Sequence, residues 1–256
     1  MDHNLLLAAV FLCLAILIWF ESFGFFFRVA GARLDNLVVG YTLQNSLQFF
    51  SRFWALIFNS CFAYLADTRS INPGKYFLFI YYAVAIVFMI NIYIFNKEYI
   101  NAIEKIIKKI EKKNNLIIVF IKYIPSSIFF SFRKMIFLPK FFYNIPRELL
   151  EFLSTKSIPR YLKIRLILFS VTYIGYFSCW PAIATLISIY PDKPAFLISL
   201  STFFTLFSTV YQTIFLDPMV SFYKDPKTLS FIYKKIHFLK IMILIMLMFL
   251  QLLISV

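Results

Sequence analysis

The chain has 256 residues, of which 61% are hydrophobic and only 15% charged, against roughly 45–50% and about 25% in ordinary soluble domains. That balance excludes a conventional soluble fold, and it equally excludes intrinsic disorder, which needs an apolar-poor chain. The 26 Lys+Arg exceed the 12 Asp+Glu for a net charge of +14, yet a mean hydropathy of +0.80 assigns that charge to an integral membrane protein and not to a nucleic-acid binder.

The first residues, Met1-Asp2-His3-Asn4, lack the basic region of a cleaved signal peptide. The apolar run from Leu5 to Phe27 is long enough to cross a bilayer and reads as a retained first helix. Further runs of about 17–25 apolar residues place spans near 37–66, 76–96, 163–190, 195–217 and 237–256. The last of these has almost no polar residue and is expected to face lipid.

Residues 97–162 differ. Ile100, Ile103, Ile106, Ile107 and Ile110 recur at three- and four-residue spacing with lysines opposite, the pattern of an amphipathic helix lying on a membrane surface or against a bundle. Its lysines contact either anionic lipid headgroups or water alone. Within 116–138 the apolar run is broken by Lys122, Pro125, Ser126 and Ser127. A lysine costs roughly 2.5–3.5 kcal/mol at mid-bilayer, so this stretch reads as interfacial or re-entrant, not as a seventh span.

Segment 97–162 holds 13 Lys+Arg, which puts it in the cytoplasm by the positive-inside rule. Six spans then bring Arg28 and Arg33 of the first loop, and Lys224, Lys227, Lys234 and Lys235 of the fifth, to the same side. The outer loops carry only Arg69, Lys75 and Lys193. The expected architecture is a single all-α polytopic membrane domain over 1–256, with about six transmembrane helices, a basic amphipathic cytoplasmic segment, and both termini extracytoplasmic.

Several chemistries are struck out. With only His3 and His237, no multi-histidine metal centre can be built. There is no G-x-x-x-x-G-K-[ST] loop, and five glycines leave little backbone for cradling phosphates. Cys13, Cys61 and Cys179 all lie in apolar stretches and read as core residues. No metal, cofactor or nucleotide is expected.

Polar groups inside spans are costly and by default mark function or a paired contact. On the second span Gln44, Gln48, Ser51, Arg52, Ala55 and Asn59 share one helical face. Ser201, Thr205, Ser208 and Gln212 form a second stripe on the fifth span, and Glu21 shares a face with Arg28 on the first. These stripes suit a hydrophilic cavity between spans one, two, four and five, because arginine and amide donors fit phosphate and sugar hydroxyls. The plainer alternatives are helix-to-helix hydrogen bonding by Ser and Thr, and a structural Glu21–Arg52 ion pair. Asp67 and Asp217 fall at span ends, where they fix helix termini.

The segments FRVAGARLDN (27–36), LQNSLQFFSR (43–52) and YLAD (64–67) resemble the N-terminal signature of the Amj family, bacterial inner-membrane proteins named as the alternative to MurJ. IFLDPMVSFYKD (214–225) resembles that family's second signature, and Glu21 sits where the family has an acid. The resemblance implies a lipid II flippase, moving the undecaprenyl-pyrophosphate-linked peptidoglycan precursor across the inner membrane without nucleotide hydrolysis. On that expectation Arg52, helped by Arg28 and Arg33 at the cytoplasmic mouth, attracts the pyrophosphate. Gln44, Gln48, Asn59 and Gln212 bond the headgroup, and alternating access carries it across. An intramembrane lipid-modifying enzyme using Asp67 or Asp217 with Glu21, and a non-transporting scaffold for envelope assembly, are the rival readings.

Overall fold

The structure, a computed structural model, describes residues 3–67, 75–113 and 159–254, with single positions at 144, 145, 147, 150, 151 and 154. The expected re-entrant stretch 116–138 and Arg69 lie outside the described residues, as do the side chains of Asp67, Lys75, Thr205 and Ser208. The described residues form helices and no strand: α1 (His3–Arg33), α2 (Leu37–Asp67), α3 (Lys75–Ile94), α4 (Asn96–Lys113), α5 (Arg160–Ile189), α6 (Pro194–Tyr211), a π-helical turn (Gln212–Leu216), α7 (Asp217–Ser221) and α8 (Pro226–Ile254). Leu6–Arg33, Arg160–Ile187 and Pro194–Ser221 are each long and apolar enough to cross a membrane, and the bent α3–α4 pair adds a fourth if it counts as one span. The α2 helix carries the polar stripe around Arg52, and α8 carries Lys234, Lys235, His237 and Lys240 in its first half.

Helix α1 is apolar nearly all round, and such a helix belongs in the middle of a bundle. It packs against α2, α3, α4 and α8, and Trp19, Phe23, Val29 and Ala30 are fully buried. It ends in a tight turn. The Asn36 amide donates to the Gly31 carbonyl at 2.8 Å, Asp35 takes the left-handed backbone (φ 52°) that Asp tolerates better than most residues, and Asn36 Oδ1 accepts from the Val39 amide at 3.3 Å to start α2. The returning helix comes very close. A Cβ on Gly31 would meet the Gly40 Cα at 2.9 Å and one on Gly40 the Phe27 carbonyl oxygen at 2.7 Å, so the two glycines set the α1–α2 contact, as small residues do between membrane helices.

The isoleucine stripe of α4 faces the bundle, not a membrane surface. Ile100, Ile103 and Ile107 are fully buried against α1 and α3, while Lys97, Lys105, Lys108 and Lys112 are exposed on the other face. The α4 axis turns 72° from that of α3, and the Tyr99 hydroxyl donates to buried Asn91 at 2.9 Å across the bend.

Two features depart from the sequence reading. The π turn precedes Pro218, whose ring would clash with the carbonyl four residues back in a regular helix; the wider turn removes that clash. And α8 starts at Pro226, well before the expected 237, because Asp225 caps it, accepting from the Thr228 amide at 2.8 Å and hydroxyl at 2.7 Å. Nor does α8 simply face lipid. Ile232, Ile236, His237, Phe238, Lys240, Ile241 and Leu244 are buried, and exposure resumes at Met246, Phe249, Leu250 and Leu253. Apolar composition alone does not distinguish a lipid-facing helix from one packed on protein.

Two predictions follow from these contacts. Gly31→Ala and Gly40→Ala each destabilise by about 1–3 kcal/mol, because the obstructing atoms are backbone; thermal melting in detergent measures this. The Thr228 hydroxyl, and then its amide, hold the Asp225 carboxyl below its usual range. The stabilising cap is therefore complete above the unfolded carboxyl range and lost as pH falls through the lower folded value, so melting temperature should drop on acidification, and less so in Asp225→Asn.

Candidate functional site

The face of α2 read from its spacing borders a real cavity. Gln48, Ser51, Arg52, Ala55, Phe58 and Asn59 line one side of a space of about 390 Å³. Opposite stand Ser201, Thr202, Leu206 and Thr209 of α6 with Gln212 and Thr213 of the π turn. Leu17 and Glu21 of α1 and Tyr173, Tyr176 and Trp180 of α5 complete it. Both polar stripes thus reach one shared space between α1, α2, α5 and α6. Toward the Asp67 end of α2, Trp180 meets Phe58 at 4.7 Å and Phe62 at 5.0 Å, both edge-on, an apolar stopper between α2 and α5.

Of the eight residues singled out from the sequence, Glu21, Gln48, Arg52, Asn59 and Gln212 line this cavity. Arg52 is exposed, and no ion pair joins it to a carboxylate among the described residues; the Glu21–Arg52 pair is not formed. The Asn59 Oδ1 is buried without a hydrogen-bond partner. The cavity therefore offers a guanidinium free to pair with an anion, an unused amide acceptor and several hydroxyls.

Glu21 instead hydrogen-bonds Tyr176 and interacts electrostatically with Lys240. Lys240 is 1% exposed. Its Nζ lies 3.5 Å from the centre of the Tyr173 ring and 5.2 Å from those of Phe25 and Phe169, a desolvated cation–π cage of the kind worth about 2 kcal/mol or more. A lone lysine inside the apolar run after Ile236 was the available sequence signal for this group. The tyrosines of α5 gave none, because aromatic residues are abundant throughout the chain.

The other three are placed elsewhere. Arg28 is 3% exposed and is consumed by protein groups: Nη1 stands 3.0 Å from Asp217 Oδ1, donates to the Tyr233 hydroxyl at 3.2 Å, and the guanidinium lies 4.2 Å over Tyr41. Gln212 also bonds Asp217, so this buried cluster connects directly to the cavity wall. Arg33 pairs with Glu104 at 3.0 Å and donates to Asn101 at 3.3 Å, fastening α4. Gln44 is buried 1% exposed against Gly24 of α1, with its Oε1 unpartnered. Arg28 and Arg33 do not present free charge at a mouth, since each already faces a carboxylate.

No protein-family model, curated protein or solved structure matches the chain. The functional reading therefore rests on the residues themselves.

Removing one partner of a buried pair leaves an uncompensated charge, typically costing about 3–5 kcal/mol. Arg28→Met is expected to lower stability by that order, and Arg28→Met with Asp217→Asn to recover much of it. Melting of the two single variants and the double variant in detergent measures the coupling.

Proposed function

We propose that the chain is a polytopic α-helical membrane transporter that carries an anionic lipid headgroup across the bilayer, and that the headgroup is the undecaprenyl-pyrophosphate-linked peptidoglycan precursor, lipid II. The observation that carries this reading is Arg52, a guanidinium without a counter-charge among the described residues, on the wall of a polar cavity that also presents Gln48, Asn59 and Gln212. Arginine and amides bind phosphate oxygens and sugar hydroxyls in charge-assisted and bidentate fashion. The choice of lipid II among anionic lipids comes from the resemblance to the Amj family.

Size limits how the headgroup sits. A cavity of about 390 Å³ lies at the low end of the roughly 300–1,000 Å³ used for small-molecule sites. It accommodates the pyrophosphate and part of a sugar, and the rest of the headgroup extends outward. The α2 and α6 helices touch only lightly. Phe49 and Phe53 of α2 and Phe203 and Phe207 of α6 are exposed, and such a surface suits a polyprenyl tail that remains in the lipid. The aromatic stopper at Trp180 and the Arg28–Asp217 cluster, toward opposite ends of α2 and α5, are the natural positions of the two gates in alternating access.

In this reading six helices span the bacterial inner membrane with both termini outside. The ion pairs Arg28–Asp217, Arg33–Glu104 and Lys235–Glu151 then gather on the cytoplasmic side, where the lysines of α4 meet anionic lipid. An inside-negative potential assists outward movement of a negative headgroup by about 2.3 kcal/mol per charge per 100 mV. The transferase reading loses support, because Asp217 is paired with Arg28 and does not line the cavity. A scaffold needs no shared polar cavity at all.

Depleting a bacterium of its own lipid II flippases and supplying this chain tests the reading. Growth is restored by the wild-type chain and not by Arg52→Ala, whose insertion and melting stay within about 0.5 kcal/mol of wild type because the side chain is exposed. Wild-type protein that inserts but does not rescue, or full rescue by Arg52→Ala, overturns it.

A further inference from the structure

The cavity described above is lined by one acid among its described residues, and that acid is backed by a buried lysine of the helix behind it. Glu21 opens onto the cavity on one side, accepts from the Tyr176 hydroxyl and interacts with Lys240 on the other. The groups facing it from the surrounding helices are Arg52 of α2 across the cavity, Tyr81 of α3, Tyr173 and Tyr176 of α5 and Lys240 of α8, with His237 beside that lysine.

We propose that Glu21 is a proton-binding site of the cavity, and that a pyrophosphate-bearing anion at Arg52 and a proton at Glu21 are taken up together. This inference rests on the cavity being an anion site and adds what accompanies the anion. Its physical basis is charge. Glu21 and Arg52 share a space of about 390 Å³, and a sphere of that volume is roughly 9 Å across. Two unit charges so separated, at an effective dielectric of about 20, shift an equilibrium roughly twentyfold. An ionised Glu21 therefore opposes a second negative charge at Arg52, and a protonated one does not. By linkage the anion raises proton affinity by the same factor that the proton raises anion affinity.

A proton fits the site better than a metal cation does. The Lys240 ammonium already occupies the cationic position beside Glu21, and hard metal ions need several oxygen ligands, whereas the cavity offers one carboxylate among its described lining residues. The Tyr173, Phe25 and Phe169 rings hold the Lys240 side chain beside Glu21. The step is a simple transfer: a buffer acid gives its proton to a Glu21 carboxylate oxygen, and the conjugate base stays in solution.

Calorimetric titration of the purified full chain in nanodiscs tests this. The probes are inorganic pyrophosphate and a short prenyl pyrophosphate, each in two buffers of different ionisation heat, across about pH 5–9, the range in which buried carboxyl groups can titrate. The expected result is Arg52-dependent binding of either probe, in which wild type takes up as much as one proton more than Glu21→Gln and loses roughly twentyfold more affinity as pH rises. Stronger binding of the prenyl form identifies the lipid, and not free pyrophosphate, as the source. Glu21→Gln retains only the proton exchange and pH dependence of the probe's own phosphate groups. Because that change leaves Lys240 without its carboxylate, Glu21→Gln/Lys240→Met serves as the charge-balanced variant and is expected to behave the same way. Arg52-dependent binding with the same proton uptake in wild type and in the double variant overturns the proton site and leaves the transport reading standing. No Arg52-dependent binding of either probe overturns both.

Discussion

A helix buried on nearly every side must have its charges answered by neighbours, and α1 is such a helix from Cys13 to Ala32. It carries Glu21 in its middle and Arg28 near its end, and those two side chains organise what surrounds them. Arg28 draws Asp217 and Tyr233 to it, which fixes the junction of α6 and α7 and the first turns of α8. Glu21 engages Tyr176 of α5 and Lys240 of α8. An apolar bundle held by dispersion and close packing has many nearly equivalent arrangements. Two charges that tolerate only particular neighbours remove most of them.

The cations then sort by what faces them. Arg28 and Arg33 stand against carboxylates, Lys240 against aromatic rings and one acid, and Lys235, 1% exposed at the side chain, reaches Glu151 at 3.1 Å. Arg52, on the cavity wall, is left without an anion among the described residues. This contrast, more than the arginine itself, singles out the α2 face.

Much of this was legible in the chain because helical periodicity survives burial. The 100° step that put Gln48, Arg52 and Asn59 on one face of α2 also put them on one wall of the cavity, and the segments read at 37–66, 76–96 and 163–190 match α2, α3 and α5 to within three residues at each end. What stayed hidden depends on partners distant in sequence. Arg28 and Asp217 belong to different helices, and nothing in either local pattern reveals that they meet. Hydropathy could not separate the buried half of α8 from its exposed half, since a protein interior and a lipid chain favour the same residues. The early start of α8 was readable in principle from Asp225 and Pro226, a cap followed by a proline at the first helical position, but the run of lysines behind them reads as a loop. The π turn has a local cause in Pro218, yet its consequence, turning Gln212 toward the cavity and Asp217 toward Arg28, is three-dimensional.

The 72° bend between α3 and α4 also fixes a depth. With α3 along the membrane normal, α4 tilts about 18° from the membrane plane. Its 18 residues extend about 27 Å at 1.5 Å each, so its two ends differ in height by only about 8 Å. In that orientation Lys97, Lys105, Lys108 and Lys112 lie within a slab about 8 Å thick. Ile103 and Ile107 are buried where α4 packs on α1, so in that orientation the slab of lysines moves with the bundle as one piece.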